Sequence, residues 1–332
     1  MPNAQHLPLI ARTRGGLPEC VHYGSVAVVD AAGTTLCALG ERFDPQFTRS
    51  TLKPLQSLAF LREDGAVRLG IDSRELAMLC SSHSGEDMHT GTVRAFLQRA
   101  GAAPRDLRCG CHEPFYYGAT GEPAPAGARW SPLHHNCSGK HAGFLACCRL
   151  RSAPLATYLD PQGPVQERVR SIVRDYASGD PVAEGVDGCS APTFALPLPR
   201  IAHVYAQLAA ARRDELRPVA YAMTRHPELV SGTGRFDHDV ALHGRGNWIA
   251  KGGVDGMFCI GVRSRGLGIA MKVADGAPRA VHALAVEVLH QVGLLEDPTV
   301  GELAPHWRPR IRNAAGIETG GFEPLFRLPR LR

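Results

Sequence analysis

The sequence predicts an α+β fold, a single antiparallel sheet assembled from both ends of the chain with helices flanking it. GSVAVVD (24–30) and TTLCALG (34–40) are β-rich runs on either side of the turn AAG. FCIGV (258–262) and LGIAMKV (267–273) flank RSRG in the same way near the other end. Between these hairpins the apolar spacing is helical rather than alternating strand with helix, which argues against a βαβ array.

The helical stretches follow in order. Residues 50–61 carry Leu52, Leu55, Leu58 and Ala59 at helical spacing, and 87–99 carry Val93, Phe96 and Leu97. Segment 164–177 presents Val165, Val169, Ile172, Val173 and Tyr176, and 278–295 is a long apolar-rich helix. Ser84 with Asp87 reads as a capping-box-like start for the second of these. The stretch GATGEPAPAGA (118–128) reads as a loop and a candidate lid. No internal repeat is present. These signals make residues 1–332 one domain, with a sheet-bearing part (about 8–50 and 250–325) and a mainly helical part (about 51–249).

Composition narrows the class. The 332 residues are 44% hydrophobic, which excludes disorder, and 36 Gly with 25 Pro exclude a coiled coil. No apolar run approaches the ~18 residues of a membrane span, so no membrane partner is expected. The net charge of +5 is scattered, without a basic run or aromatic platform, so no nucleic-acid partner is expected. The first residues lack a signal-peptide pattern, and ten cysteines then read as reduced thiols in a cytoplasmic protein.

The 37 basic residues include only four lysines, Lys53, Lys140, Lys251 and Lys272. Where arginine supplies the ordinary surface cations, a lysine is a candidate for losing its proton, which arginine cannot do. Ser50-Thr-Leu-Lys53 places a hydroxyl and an amine three residues apart, on one face of a helix. A serine becomes a nucleophile when a neighbouring base takes its proton, and a lysine serves if burial or a second cation lowers its pKa. The same SxxK pattern occurs in penicillin-binding proteins and serine β-lactamases. Cys80-Ser-Ser-His-Ser-Gly-Glu86 offers a second hydroxyl, Ser82, with His83 beside it. On LGIAMKV, alternation puts Lys272 on a face with Gly268 and Ala270, leaving room for an approaching group. Lys272 is thus either a second amine near Lys53 or a base for a second serine; as a structural residue it would guard a sheet edge. Lys251-Gly-Gly-Val-Asp-Gly256 is read as close backbone packing beside an active site, with no assignable role for Lys251 itself.

Metal chemistry has two candidate clusters. One is His134-His-Asn-Cys137-Ser-Gly-Lys140-His141 with Asp187-Gly-Cys189, and the other is Cys109-Gly-Cys111-His112. Cys and His are the expected zinc ligands, and a lysine amine is not. Spacing does not decide between the clusters, or between either and a polar loop without metal.

TRSTLKPLQ (48–56), CSSHSGE (80–86), HHNCSGKHAGFLA (134–146), DGCSAPTFALPL (187–198), KGGVDG (251–256) and GIAMKVADG (268–276) together resemble the rhizobial-type L-asparaginases, over roughly residues 8 to 325. The resemblance implies hydrolysis of L-asparagine to L-aspartate and ammonia, and a fold similar to serine β-lactamases, penicillin-binding proteins and glutaminases. It implies two Ser–Lys pairs, Ser50 with Lys53 and Ser82 with Lys272, and a zinc ion held by Cys137, Lys140 and Cys189. It also places Arg49, His83 and Asp187 on the substrate side, Cys259 nearby, and implies a homodimer.

Overall fold

A computed structural model describes residues 5–331. The chain divides into two compact units, Met1–Thr51 with Leu196–Ala210 and Leu242–Arg332, and Leu52–Ala195 with Ala211–Ala241. Helix Leu198–Ala210 and residues 242–249, which the sequence reading placed in the helical part, therefore belong with the sheet.

The first unit is an eight-stranded antiparallel sheet. Its order is Arg310–Arg312, Glu318–Pro324, Leu7–Arg14, Leu17–Asp30, Leu267–Val273, Met257–Val262 and Trp248–Gly252, with Thr35–Leu39 also pairing with Leu17–Asp30. Both expected hairpins are present. The first is extended by Leu7–Arg14, joined through Gly15 and Gly16 at φ +53° and +84°, the left-handed pair a tight hairpin turn demands. Val26, Ala27, Val28 and Val29 are all buried, so the middle of the sheet is covered on both faces.

Strand Leu267–Val273 lies between Leu17–Asp30 and Met257–Val262, so Lys272 is on a central strand and is no edge guard. The small residues beside it have a packing cause. A Cβ on Gly268 would lie 1.8 Å from the Ala202 carbonyl oxygen, and one on Gly261 would lie 2.8 Å from that of Tyr205. Helix Leu198–Ala210 is thus seated directly on the glycine face, and the room there is filled by backbone. Helix Pro278–Gln291 packs against Leu7–Arg14, Leu267–Val273 and Glu318–Pro324.

The second unit is mainly helical. Its longer helices are Asp87–Arg99, Ser138–Leu150, Pro164–Ala177 and Leu216–Arg225, and strands Ala183–Val186 and Pro192–Pro197 pair antiparallel. Pro164–Ala177 buries Val165, Val169, Ile172, Val173 and Tyr176, the face its 3.6-residue period specifies. Ser138–Leu150 is buried continuously from Ser138 to Cys148, which makes it the unit's central helix. Gly139 permits this, because a Cβ there would lie 2.1 Å from the Met78 carbonyl oxygen. Asp87–Arg99 does not start as the sequence suggests. Its N-cap is Glu86, whose N–H is accepted by His89 Nδ1 at 3.1 Å, while Ser84 Oγ is buried without a partner. Of the expected 118–128 loop, residues 118–120 finish helix Phe115–Thr120 and the rest is irregular. Among the described residues no helix is long and apolar enough to cross a membrane.

Candidate active site

In the second unit, Lys53 opens helix Lys53–Gln56 with Pro54 behind it, where a missing N–H costs nothing, and its side chain is completely enclosed. Its Nζ lies 2.8 Å from Ser82 Oγ, 2.6 Å from the Ser81 carbonyl oxygen and 3.5 Å from that of Asn136. A buried amine held by these acceptors has little rotamer freedom. Ser82 is fixed in turn by its own N–H, which donates to the Val230 carbonyl at 2.9 Å. The structure therefore joins Ser82 to Lys53.

His83 is committed within this unit. Gly85 N–H donates to its Nδ1 at 3.1 Å, which leaves the ring proton on Nε2, 2.8 Å from Ser138 Oγ. Ser138 Oγ passes a hydrogen bond to the Leu133 carbonyl at 2.9 Å. Burial, with the neighbouring His89 ring stacked at 5.0 Å, holds His83 well below its ordinary pKa. Both ring nitrogens thus brace the loop that carries Ser82.

The same unit gathers Cys137, Lys140 and Cys189. Lys140 Nζ donates to Cys189 Sγ at 3.0 Å, and Asp187 Oδ2 is 3.8 Å from that sulfur. A hydrogen bond between the two sulfurs, opposed by burial and aided by Lys53 and Lys140, holds the Cys137 thiol well below its ordinary range. The same bond raises Cys189, so the pair shares one proton. Burial opposes charge on Lys140, but the two sulfurs and Asp187 outweigh it and raise its pKa. His141 accepts at Nδ1 from Tyr158 Oη, 2.8 Å away, and its ring also interacts with the Cys189 thiol. Burial lowers His141 to about 4. Two soft sulfur donors suit a zinc ion, and Lys140 could join them only after losing its ammonium proton. The rival cluster does not converge. Cys109 Sγ faces the Gly110 and Pro132 carbonyls, Cys111 is exposed, and His112 is bound to Asn136. Among the described residues no group of three or more His, Cys, Asp or Glu side chains is gathered as a metal site.

In the first unit, Arg49 is left-handed at φ +48°, and the short 3-10 turn Arg49–Leu52 begins there with Ser50 buried on it. A non-glycine residue in this region costs about 1–3 kcal/mol and needs outside support. Support comes from Asp255, itself at φ +59°, whose carboxylate is ion-paired with the Arg49 guanidinium. Lys272 Nζ donates to the Asp255 carbonyl. Burial, with Arg49 nearby, lowers the Lys272 pKa.

Lys251, left without a role by the sequence, is fully buried and cross-strand from Cys259. Cys259 is hydrogen-bonded to Thr51, whose carbonyl accepts from Tyr205 Oη at 2.7 Å. Burial pushes the Cys259 thiol up to about 12, so it is a structural thiol under the Ser50 turn. The signal for Lys251 was available in its scarcity among arginines, but strand register alone puts it beside that turn.

Solved structures similar to the chain include a β-lactamase from Mycobacterium bovis, at 15% identity and TM-score 0.41 over 81% of this chain and 94% of that one. They also include Mglu in its tris and glutamate form, at 16% identity and TM-score 0.36 over 88% of this chain and 64% of that one. A probable glutaminase from Bacillus subtilis complexed with 6-diazo-5-oxo-L-norleucine is similar at 12% identity and TM-score 0.32, over 76% and 77%. No curated protein matches the chain. The sequence profile described as L-asparaginase II matches residues 10–324, nearly the whole chain. With that span matched, the chain belongs to the L-asparaginase II family and is an amidohydrolase.

Proposed function

We propose that this amidohydrolase is an L-asparaginase, releasing ammonia from the side-chain amide of L-asparagine to leave L-aspartate. The observation that carries the serine–lysine chemistry is the 2.8 Å approach of Lys53 Nζ to Ser82 Oγ, with the amine sealed from water. In this reading Ser50 is the nucleophile and Lys53, three residues on, is its base. Ser50 Oγ bonds to the amide carbon, its proton passes by way of Lys53 and Ser82 to the departing nitrogen, and ammonia leaves. Water then attacks the acyl-enzyme ester and restores the serine. Lys272 and Lys251 lie on the first unit's sheet. The bond of Lys272 to the Asp255 carbonyl favours a supporting role there, rather than a base for Ser82.

Cys137, Lys140 and Cys189 would hold a zinc ion, with Lys140 as the neutral amine. The bound ion would polarise and orient the amino acid's head group, with Asp187 beside it. His83 supports the Ser82 loop in this scheme, and Arg49 presents Ser50. A cytoplasmic homodimer completes the proposal, on the family resemblance.

The test is ammonia release from L-asparagine, with L-glutamine and a chromogenic β-lactam alongside, by the wild type and Lys53→Arg. Turnover of asparagine that Lys53→Arg abolishes supports the proposal. Faster turnover of either alternative reassigns the substrate, and an active Lys53→Arg removes Lys53 as the base.

A further inference from the structure

One arginine in the second unit lacks the partner its surroundings are built to receive. Arg235 ends the loop Ser231-Gly-Thr-Gly-Arg235, which is pinned to the segment bearing Ser82. Val230 accepts from Ser82 N–H at 2.9 Å, and Glu86 accepts from Thr233 N–H and Oγ–H at 3.0 and 2.9 Å. Gly232, at φ +126°, lies so close that a Cβ there would be 2.7 Å from Ser84 Oγ and 2.6 Å from Glu86 Oε1. On its other side the Arg235 guanidinium lies over the Phe115 ring, 5.2 Å from the centroid. Phe115 stacks on His112 at 4.6 Å, His112 Nε2 accepts from Asn136 N–H at 3.2 Å, and the Asn136 carbonyl faces Lys53 Nζ. Arg235 is thus tied to the Lys53–Ser82 pair from two directions.

Its guanidinium makes no hydrogen bond or ion pair with any described residue, and Nη1 is fully shielded. Arg308 also has a shielded nitrogen, but its others meet Glu287 and Glu323. The nearby carboxylate of Glu86 is already taken by Thr233, and Ser84 Oγ in the same loop is likewise buried and unsatisfied. Nη1 is a shielded, idle donor, while the partly exposed side chain leaves its remaining donors open to a ligand. A flat cation held on an aromatic ring is shaped for a planar, two-oxygen acceptor.

We propose that Arg235 binds the α-carboxylate of the amino-acid substrate, with Phe115 holding the guanidinium flat. This rests on the amino-acid amidohydrolase reading above, and it makes Arg235 the residue that selects for an α-carboxylate.

The test compares L-asparagine with 3-aminopropanamide, which keeps the amide and amine but lacks the carboxylate, in the full-length wild type, Arg235→Ala and Arg235→Lys. Arg235→Ala should lose about a hundredfold in kcat/KM for asparagine, mainly through KM, and leave 3-aminopropanamide unchanged. Arg235→Lys, which keeps charge but not the fork, should fall between. A parallel loss on both substrates would mean a structural role and overturn the proposal. L-aspartate titrated calorimetrically into wild type and Arg235→Ala gives a readout independent of turnover. Wild-type binding lost in Arg235→Ala supports the site even if asparagine is not hydrolysed, in which case the function reading fails and this one stands. Binding retained in Arg235→Ala, or absent from the wild type, overturns it.

Discussion

Lys53 Nζ meets Ser82 Oγ at 2.8 Å although the two residues are 29 positions apart, and neither side chain is accessible to any extent that would let water separate them. Replacing Lys53 by Arg keeps a nitrogen head group but removes a usable base. Activity on asparagine should fall at least a thousandfold, and Ser82→Ala should cost about a hundredfold. Steady-state kinetics with circular dichroism as a fold check decides this. A Lys53→Arg enzyme within tenfold of wild type would remove the base from the scheme.

Asp255 holds Arg49 in its left-handed conformation from across the first unit. Asp255→Asn should leave the fold intact and lower kcat about ten- to a hundredfold through misplacement of Ser50. Asp255→Glu should restore part of it. An unchanged kcat in Asp255→Asn would make the ion pair an ordinary exposed one.

Two glycines should respond in opposite senses. Gly139→Ala forces a Cβ to within 2.1 Å of the Met78 carbonyl and should lower stability by about 2 kcal/mol or more. Gly91, within helix Asp87–Arg99, has nothing within 4 Å, and Gly91→Ala should gain about 0.5–1 kcal/mol. Thermal melts of both variants measure the contrast.

His83 gives a pH signature. Its pKa is well below the ordinary 6.5 in the folded chain, chiefly through burial, so the unfolded chain binds the extra proton first. Stability should therefore be full above pH ~6.5 and fall as pH drops below it, by up to about 1.4 kcal/mol per pH unit from this residue. His83→Gln should flatten that slope in denaturant titrations between pH 7 and 5, although it should also lower stability at neutral pH through its lost hydrogen bonds.

Zinc analysis of the purified protein should give about one ion per chain, and Cys189→Ser or Cys137→Ser should abolish it. Metal retained in both variants would relocate the site.

The hairpins were readable because alternation and turn residues are local signals, and Pro164–Ala177 because its buried face repeats at 3.6 residues. The lysines were readable because arginine fills the other basic positions. The partner of Ser82 was not readable, since it depends on how the segments before Ser82 and before Asn136 are packed. Gly268 misled in an instructive way. A small residue signals that something comes close, and the sequence cannot say whether that is a ligand or, as here, a helix backbone. Arg235 gave no signal among 33 arginines, because what distinguishes it is a missing partner.

The path of the chain has a consequence for synthesis. Strand Leu7–Arg14 pairs with Glu318–Pro324, and Leu17–Asp30 with Leu267–Val273. The hairpin Leu7–Arg14/Leu17–Asp30 thus waits with both outer edges unpaired until residues 267–273 and 318–324 have emerged. Bare strand edges invite pairing with other chains, and such distant pairings form slowly. Recombinant production should therefore improve when translation is slowed or cooled, and a fragment ending at residue 241 should be insoluble. Supplying residues 242–332 as a separate polypeptide during expression should recover it, because every missing strand then arrives in time.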